Sequence, residues 1–399
     1  MGVHPIGLGL HTRTIGDVRC THPTFARPSP HGTIFVAIEL SQKTWLAVVR
    51  SPDRDRISGH KLEGGNDAGL LALIESVRAR AARALGSAPA VVSCYEAGYD
   101  GFWLHRRLVA AGITNFVFDP SSIAVEQRRR RAKTDRIDGE LLLRTLMAHC
   151  RGEPRVVRIV RVPSREQEDV RRGSRERERL IKEQTGHSNR IKALLRTLGL
   201  AAGNPRRRDW LRLLAEQRDW EGRAVPPHYL AELAREHARL MLVGAQLRDL
   251  SQAPEATDGP AAVRMAEQKT RLRQLKSFGP AFAGTLVDEA FYKDFDNRRQ
   301  VASYIGLAPS PWRSGGTSRE QGISKAGNRR ARRQAIELAW LWLRHQPDSA
   351  LSRWFQQRTA GASARMKRIA IVALARKLMV ALWRYLTSGL VPEGAVVKA

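Results

Sequence analysis

Four carboxylates in this chain occupy positions where an acid can do phosphoryl-transfer chemistry. Glu39 ends the run TIFVAIEL, Glu96 ends VVSCYE, and Asp135 and Asp138 open a stretch of helical spacing. Carboxylates at strand ends of an open sheet converge at its carboxyl edge, where ligands bind. Asp135 and Asp138 are three apart and so share one helical face, with Thr134 as a natural N-cap. Hard oxygen donors from three elements suit Mg²⁺ or Mn²⁺ and are enough for two ions about 3.5–4 Å apart, as in two-metal sites. Arg128, Arg129, Arg130, Arg131 and Lys133 run directly into the pair, so a tract suited to phosphate leads to the acids. Three of the acids have a plainer reading as well: Asp135 and Asp138 as acids favoured in a helix's first turn, Glu39 as a surface strand end.

A second constellation lies in Gly306–Arg330, GLAPSPWRSGGTSREQGISKAGNRR. Ser314 precedes Gly315 and Gly316, which reads as a mobile loop whose backbone can approach a phosphate closely. A serine hydroxyl needs activation to attack, and no histidine lies in this stretch. Lys325, Asn328, Arg329 and Arg330 lead into a basic helix whose first turns suit phosphates. A Gly/Ser loop without chemistry fits the same letters. Upstream, Lys276–Leu286 (KSFGPAFAGTL) has the pattern of a helix-hairpin-helix, whose Gly279 turn would offer backbone amides to DNA phosphates. A plain helix-turn-helix corner has that pattern too.

Composition supports a polyanionic partner. The 399 residues carry 68 Lys+Arg against 39 Asp+Glu, a net charge of +29. A surplus that large repels itself unless a polyanion neutralises it, and nucleic acid is the usual one; arginine-rich codon bias and an anionic membrane surface are the other readings. Cys20, Cys94 and Cys150 are widely spaced, which argues against a zinc site or a disulfide framework and fits a reducing cytoplasm. The apolar stretch Ile369–Trp383 is interrupted by Arg376 and Lys377, so a buried helix is expected there and not a membrane span.

The elements that must position these residues fall into regimes. Residues 1–32 read as a disordered lead-in. Over 33–160 strands at Thr33–Leu40, Trp45–Arg50, Ile57–Leu62, Ala88–Cys94 and Thr114–Phe118 alternate with helices at Asp67–Leu85, Asp100–Ala111 and Asp135–Ala148. That order, two antiparallel strands and then βα units, predicts an α/β domain of RuvC/RNase H-like type. Over 161–260 the strand signal disappears; Ser164–Leu200 reads as a long, charged helix suited to an oligomerising coiled coil, and Gln252–Pro260 as a linker. Over 261–390 a mostly α domain is expected, with Trp340 and Trp342 in its core, followed by a tail at 391–399.

Taken together, VAIELSQKTW, YEAGYDGFWLHRRL, AKTDRIDGELL, SFGPAFAGTL, FDNRRQVASYIGLAPSPWRSGGTSREQGISKAGNRRARR and IAIVALARKL resemble the D-E-D-D insertion-sequence transposases of the "IS one-ten" class, the group of Piv-type invertases and bridge-RNA-guided serine recombinases. The likeness spans about residues 33 to 390. It implies a RuvC-like first domain in which Glu96, Asp135 and Asp138 match the second, third and fourth family acids, and a later domain in which Ser314 matches the nucleophilic serine of the SGG motif. By the same likeness the serine attacks a DNA phosphate and forms a transient phosphoserine, with acids from one protomer and serine from another in a dimer or tetramer, and with a guide RNA as a further partner. Where the family usually has Asp in its first strand, this chain has Glu39, one methylene longer.

The residues and the resemblance therefore point to a DNA transposase or site-specific recombinase. A junction-resolving nuclease using only the acidic domain, and a non-catalytic nucleic-acid-binding protein derived from a transposase, are the alternative readings.

Overall fold

The computed structural model describes residues 32–123, 135–153, 156–252, 259–314 and 316–398. Contacts divide the chain into two units, residues 1–162 and residues 163–399.

In the first unit, runs rich in β-branched and aromatic residues form β1 (Thr33–Glu39), β2 (Thr44–Arg50), β3 (Ser58–Glu63), β4 (Ala90–Glu96) and β5 (Thr114–Phe118). They pair in the order β3-β2-β1-β4-β5. β1 runs antiparallel to β2 and parallel to β4, and β4 runs parallel to β5. Helices α1 (Asp67–Leu85), α2 (Trp103–Ala110) and α3 (Asp135–Cys150) complete the unit. Alternation along the central strands divides two apolar layers. Ile34, Val36 and Ile38 pack with Leu70 and Ile74 of α1 and Leu104 of α2. Phe35, Ala37, Val92 and Cys94 pack with Leu142, Leu143 and Leu146 of α3. Both faces of β1 and β4 are thus covered, which is why these strands are nearly continuous hydrophobic runs.

The second unit is mostly helical. α4 (Arg165–Thr197) starts at a capping box between Ser164 and Gln167, which satisfies two amides at its end. It packs along α6 (Pro227–Gln252), with α5 (Trp210–Ala215) beside them. Ile191 and Leu195 meet Trp210, Leu214, Leu233 and Leu240 there. The buried positions of α4 are Arg171, Leu180, Ile191 and Leu195, a spacing too irregular for heptads. Further on come α7 (Pro260–Arg273), α8 (Pro280–Leu286), α9 (Arg298–Tyr304), α10 (Arg329–His345), α11 (Ala350–Thr359) and α12 (Ala364–Ser388). Leu338, Ala339 and Trp342 of α10 face Leu374, Leu378 and Leu382 of α12 in one core.

Two expectations change here. Trp342 is buried, its Nε1 donating to Ser349 Oγ at 2.9 Å, but Trp340 is 48% exposed, because neighbours two apart on a helix point to different sides. The stretch around Ser314, expected to be a loop in a helical domain, is a two-stranded hairpin, β6 (Pro309–Ser314) with β7 (Thr317–Ile323). Among the described residues no helix is long and apolar enough to cross a membrane.

Candidate catalytic and nucleic-acid sites

The sheet sets two of the acids side by side. Ile38 of β1 pairs in parallel register with Tyr95 of β4, so the next residues, Glu39 and Glu96, leave the sheet together at its carboxyl edge. Glu39 stands opposite Leu46 and Glu96 opposite Phe118. By alternation both belong to the face of Phe35, Ala37, Val92 and Cys94, the face that α3 covers. Asp135 and Asp138 begin α3 on the stripe that continues through Leu142 and Leu146, as steps of three and four require. Asp138 is half-buried and Asp135 exposed. The four acids are therefore drawn from three elements onto one side of the sheet.

The helix that brings Asp138 is held very close. A Cβ on Gly139 would lie 2.6 Å from Cγ2 of Val48 in β2, so only glycine permits this approach. Behind Glu96, burial raises the Cys94 thiol well above its ordinary range, with the nearby charges of Cys150 and Glu96 adding to the effect; this thiol is a small core hydrophobe. Among the described residues no three His, Cys, Asp or Glu groups form a set tight enough to hold a metal ion. Carboxylates gathered on one face are hard oxygen donors, chemically suited to divalent metal ions of the kind DEDD transposases use. Arg128, Arg129, Arg130, Arg131 and Lys133, with the expected cap Thr134, lie outside the described residues.

In the second unit Ser314 pairs with Thr317 at the end of the hairpin, so the serine lies where the two strands close; Gly315 lies outside the described residues. The base of the hairpin is fixed. Ser324 N donates to Ala308 O at 2.9 Å and Lys325 N to Gly306 O at 3.1 Å, and Lys325 itself takes φ +55. Gly327 has φ +110, and a Cβ there would meet Tyr304 O at 2.3 Å. Gly279 precedes α8 in extended conformation with Pro280 as the first helical residue, and the adjoining Phe278 is buried while its carbonyl accepts from Lys398 Nζ at 2.8 Å.

Asn328 works inside the unit. Its Oδ1 caps α10 by accepting from the amides of Arg330 and Ala331, and its Nδ2 donates to the carbonyl and Oε2 of Glu289 at 2.9 Å. Glu289, 1% exposed, sits in a π-helical turn at Val287–Phe291. Around its carboxylate stand Arg175 at 2.8 Å, Arg171 at 3.3 Å and Arg330 at 3.5 Å. Burial pushes this carboxyl up, but the Arg175 hydrogen bond, the Arg171 charge and the Asn328 amide bring it down to about 2. The neighbouring Asp288, 2% exposed, pairs with Lys269 at 3.0 Å. Sequence reasoning passed over this pair; the signal was two adjacent acids within the apolar run TLVDEAFY. Arg329 is exposed, and Arg330 also reaches Glu178 at 3.0 Å.

A five-stranded mixed sheet of this topology, followed by a helical unit, has the arrangement of a DNA transposase with a RuvC-like first domain. Residues 36–199 match the DEDD transposase family of IS110 type, and residues 269–353 match the transposase IS116/IS110/IS902 family. The chain is 48% identical over 376 residues to "Putative transposase y4rJ" of Sinorhizobium fredii (strain NBRC 101917 / NGR234), covering 92% of this chain and 95% of that one. It is 29% identical over 304 residues to "Probable family 20 transposase" of Pseudomonas aeruginosa PAO1, covering 75% and 84%. The chain belongs to the IS116/IS110/IS902 family of insertion-sequence transposases, enzymes that bind, cleave and transfer DNA.

Proposed function

We propose that this transposase cuts and rejoins DNA with the acids of the first unit and Ser314 of the second as its reacting groups, moving its own element as a site-specific recombinase. The observation that supports this best is the emergence of Glu39 and Glu96 side by side on the face covered by the helix of Asp135 and Asp138. Those four residues would hold two Mg²⁺ or Mn²⁺ ions, which supply positive charge to a scissile phosphate and to the oxygens that enter and leave it. The chain's own part is to fix the carboxylates: β1 and β4 set the first two, and the close approach of Gly139 to Val48 sets the helix of the others.

Ser314 is the nucleophile in this reading. Its oxygen bonds to phosphorus as the bond to a deoxyribose oxygen breaks, and the hydroxyl proton passes to the departing oxygen. A second strand's hydroxyl then reverses the exchange and frees the serine. No bond energy is lost to water, which suits a transferase better than a nuclease. The family resemblance adds a guide RNA, and acids and serine supplied by different protomers of a dimer or tetramer; the three widely spaced cysteines fit action in a reducing cytoplasm.

The test is a denaturing trap. Wild-type protein incubated with its element's DNA and Mg²⁺ should yield DNA covalently attached at Ser314, and Ser314→Ala should not. Mixing Ser314→Ala with Asp135→Asn protein should restore activity if protomers share sites. Cut strands without an adduct would instead establish hydrolysis by the acidic domain alone.

A further inference from the structure

An open groove of about 770 Å³ in the second unit is lined by Arg172, Arg175, Arg179, Arg329 and Arg330, with Glu176 and the buried Glu289 as its acids. Arg172, Arg175 and Arg179 follow one another at steps of three and four on α4, so they form one stripe, and Arg329 and Arg330 face them from the start of α10. We propose that this groove grips the backbone of one strand of duplex DNA through its phosphates, without reading sequence.

Three features set it apart from a chance basic surface. The first is that it is built. Glu289 is buried, and it holds Arg175 by two hydrogen bonds, at 2.8 and 3.3 Å, and Arg330 at 3.5 Å. Two long side chains are thus ordered before any ligand arrives, which lowers the entropy cost of binding. The second is spare charge. Arg172 and Arg329 have no acidic partner among the described residues, and Arg179 makes only long pairs, at 3.7 and 3.5 Å, with Glu176 and Glu183 of its own helix. The Arg332 side chain nearby is held below the ordinary arginine range, first by burial and then by the Arg329 charge. An arriving phosphate relieves that repulsion. The third is length. Arg172 to Arg179 covers about 10 Å of helix, and one strand of B-DNA carries a phosphate per about 3.4 Å of axis, so the stripe matches about three consecutive phosphates.

This assignment rests on the transposase reading but concerns a surface remote in chemistry from the cutting residues. Its test uses the full-length chain and a duplex DNA of arbitrary sequence, followed by anisotropy across a salt series. The groove triple Arg172→Gln/Arg179→Gln/Arg329→Gln leaves the Glu289 hub intact. It should flatten the log–log salt slope by about 0.9 for each phosphate no longer gripped, and by the same amount on unrelated sequences. A control triple, Arg196→Gln/Arg235→Gln/Arg344→Gln, removes equal charge from exposed positions outside the groove and should change the slope far less. Lysine at the three groove positions should restore most of the slope. Equal slopes for the groove and control triples overturn the proposal while the transposase reading stands. Loss of affinity for an RNA duplex but not for DNA also overturns it. A wild-type chain with no salt-dependent duplex binding would sink the transposase reading and this proposal together.

Discussion

Asn328 joins two things at once: its Oδ1 caps the first turn of α10, and its Nδ2 donates to Glu289 at 2.9 Å. One amide therefore ties the basic helix after the Ser314 hairpin to a buried carboxylate, and that carboxylate gathers Arg171, Arg175 and Arg330 from two helices. Buried charges are costly unless matched, and removing one member of such a set leaves the others unpaired in low dielectric.

Glu289→Gln keeps the shape and removes the charge, so it should destabilise the second unit by about 3–5 kcal/mol at neutral pH. The carboxyl lies near 2 in the fold against an ordinary 4.5. A depressed carboxyl stabilises fully above its unfolded value and loses that stabilisation as pH falls through the folded one. The contribution, on the order of 3 kcal/mol by linkage, should drain between pH 4.5 and 2. Urea melts of both proteins at pH 7 and at pH 3 check this; the gap between them must narrow in acid. A gap independent of pH would mean that the loss is one of packing.

Gly139→Ala reverses the usual helix rule. Alanine in a helix interior normally stabilises by about 1 kcal/mol over glycine, but here the added methyl meets Val48 Cγ2 at 2.6 Å. We expect a net loss of about 1–3 kcal/mol, the range for overpacked cores, and a fall in recombination as α3 moves with its acids. Gly139→Ala/Val48→Ala should recover stability and part of the activity. An unchanged melting temperature in the single variant would show that the helix shifts freely.

For the acids, Asp135→Asn and Glu96→Gln remove charge and keep volume, so circular dichroism and melting should be nearly unchanged. Strand cleavage in Mg²⁺ should fall by orders of magnitude. Near wild-type cleavage by both variants would take the acidic face out of the reaction.

Glu39 separates a ligand from a strand-end acid. Glu39→Asp restores the family's usual residue and should retain or raise activity, because the shorter side chain suits the strict geometry of Mg²⁺. Glu39→Ala should abolish it. Equal rates for alanine and glutamate would leave Glu39 without a catalytic part.

The strands of the first unit were legible because their burial is dictated locally. TIFVAIE and AVVSCYE are apolar on both faces, and a chain must bury such runs between two layers. The acids at their ends were legible for the same reason, since a carboxylate closing such a run stops where the sheet does. Other features depended on tertiary packing. Ser314 was expected on a loop and lies at the end of a hairpin, because pairing with Thr317 is a contact between strands that alternation in PSPWRS does not announce. Trp340 and Trp342 look alike in sequence, and only the position of α12 decided which is buried. Glu289 was the least legible. A glutamate in an apolar run has no reason to be buried until three arginines and an asparagine, distant in the chain, arrive to neutralise it. Composition and periodicity determine which segments must be covered; which charges meet under the cover is decided by the fold.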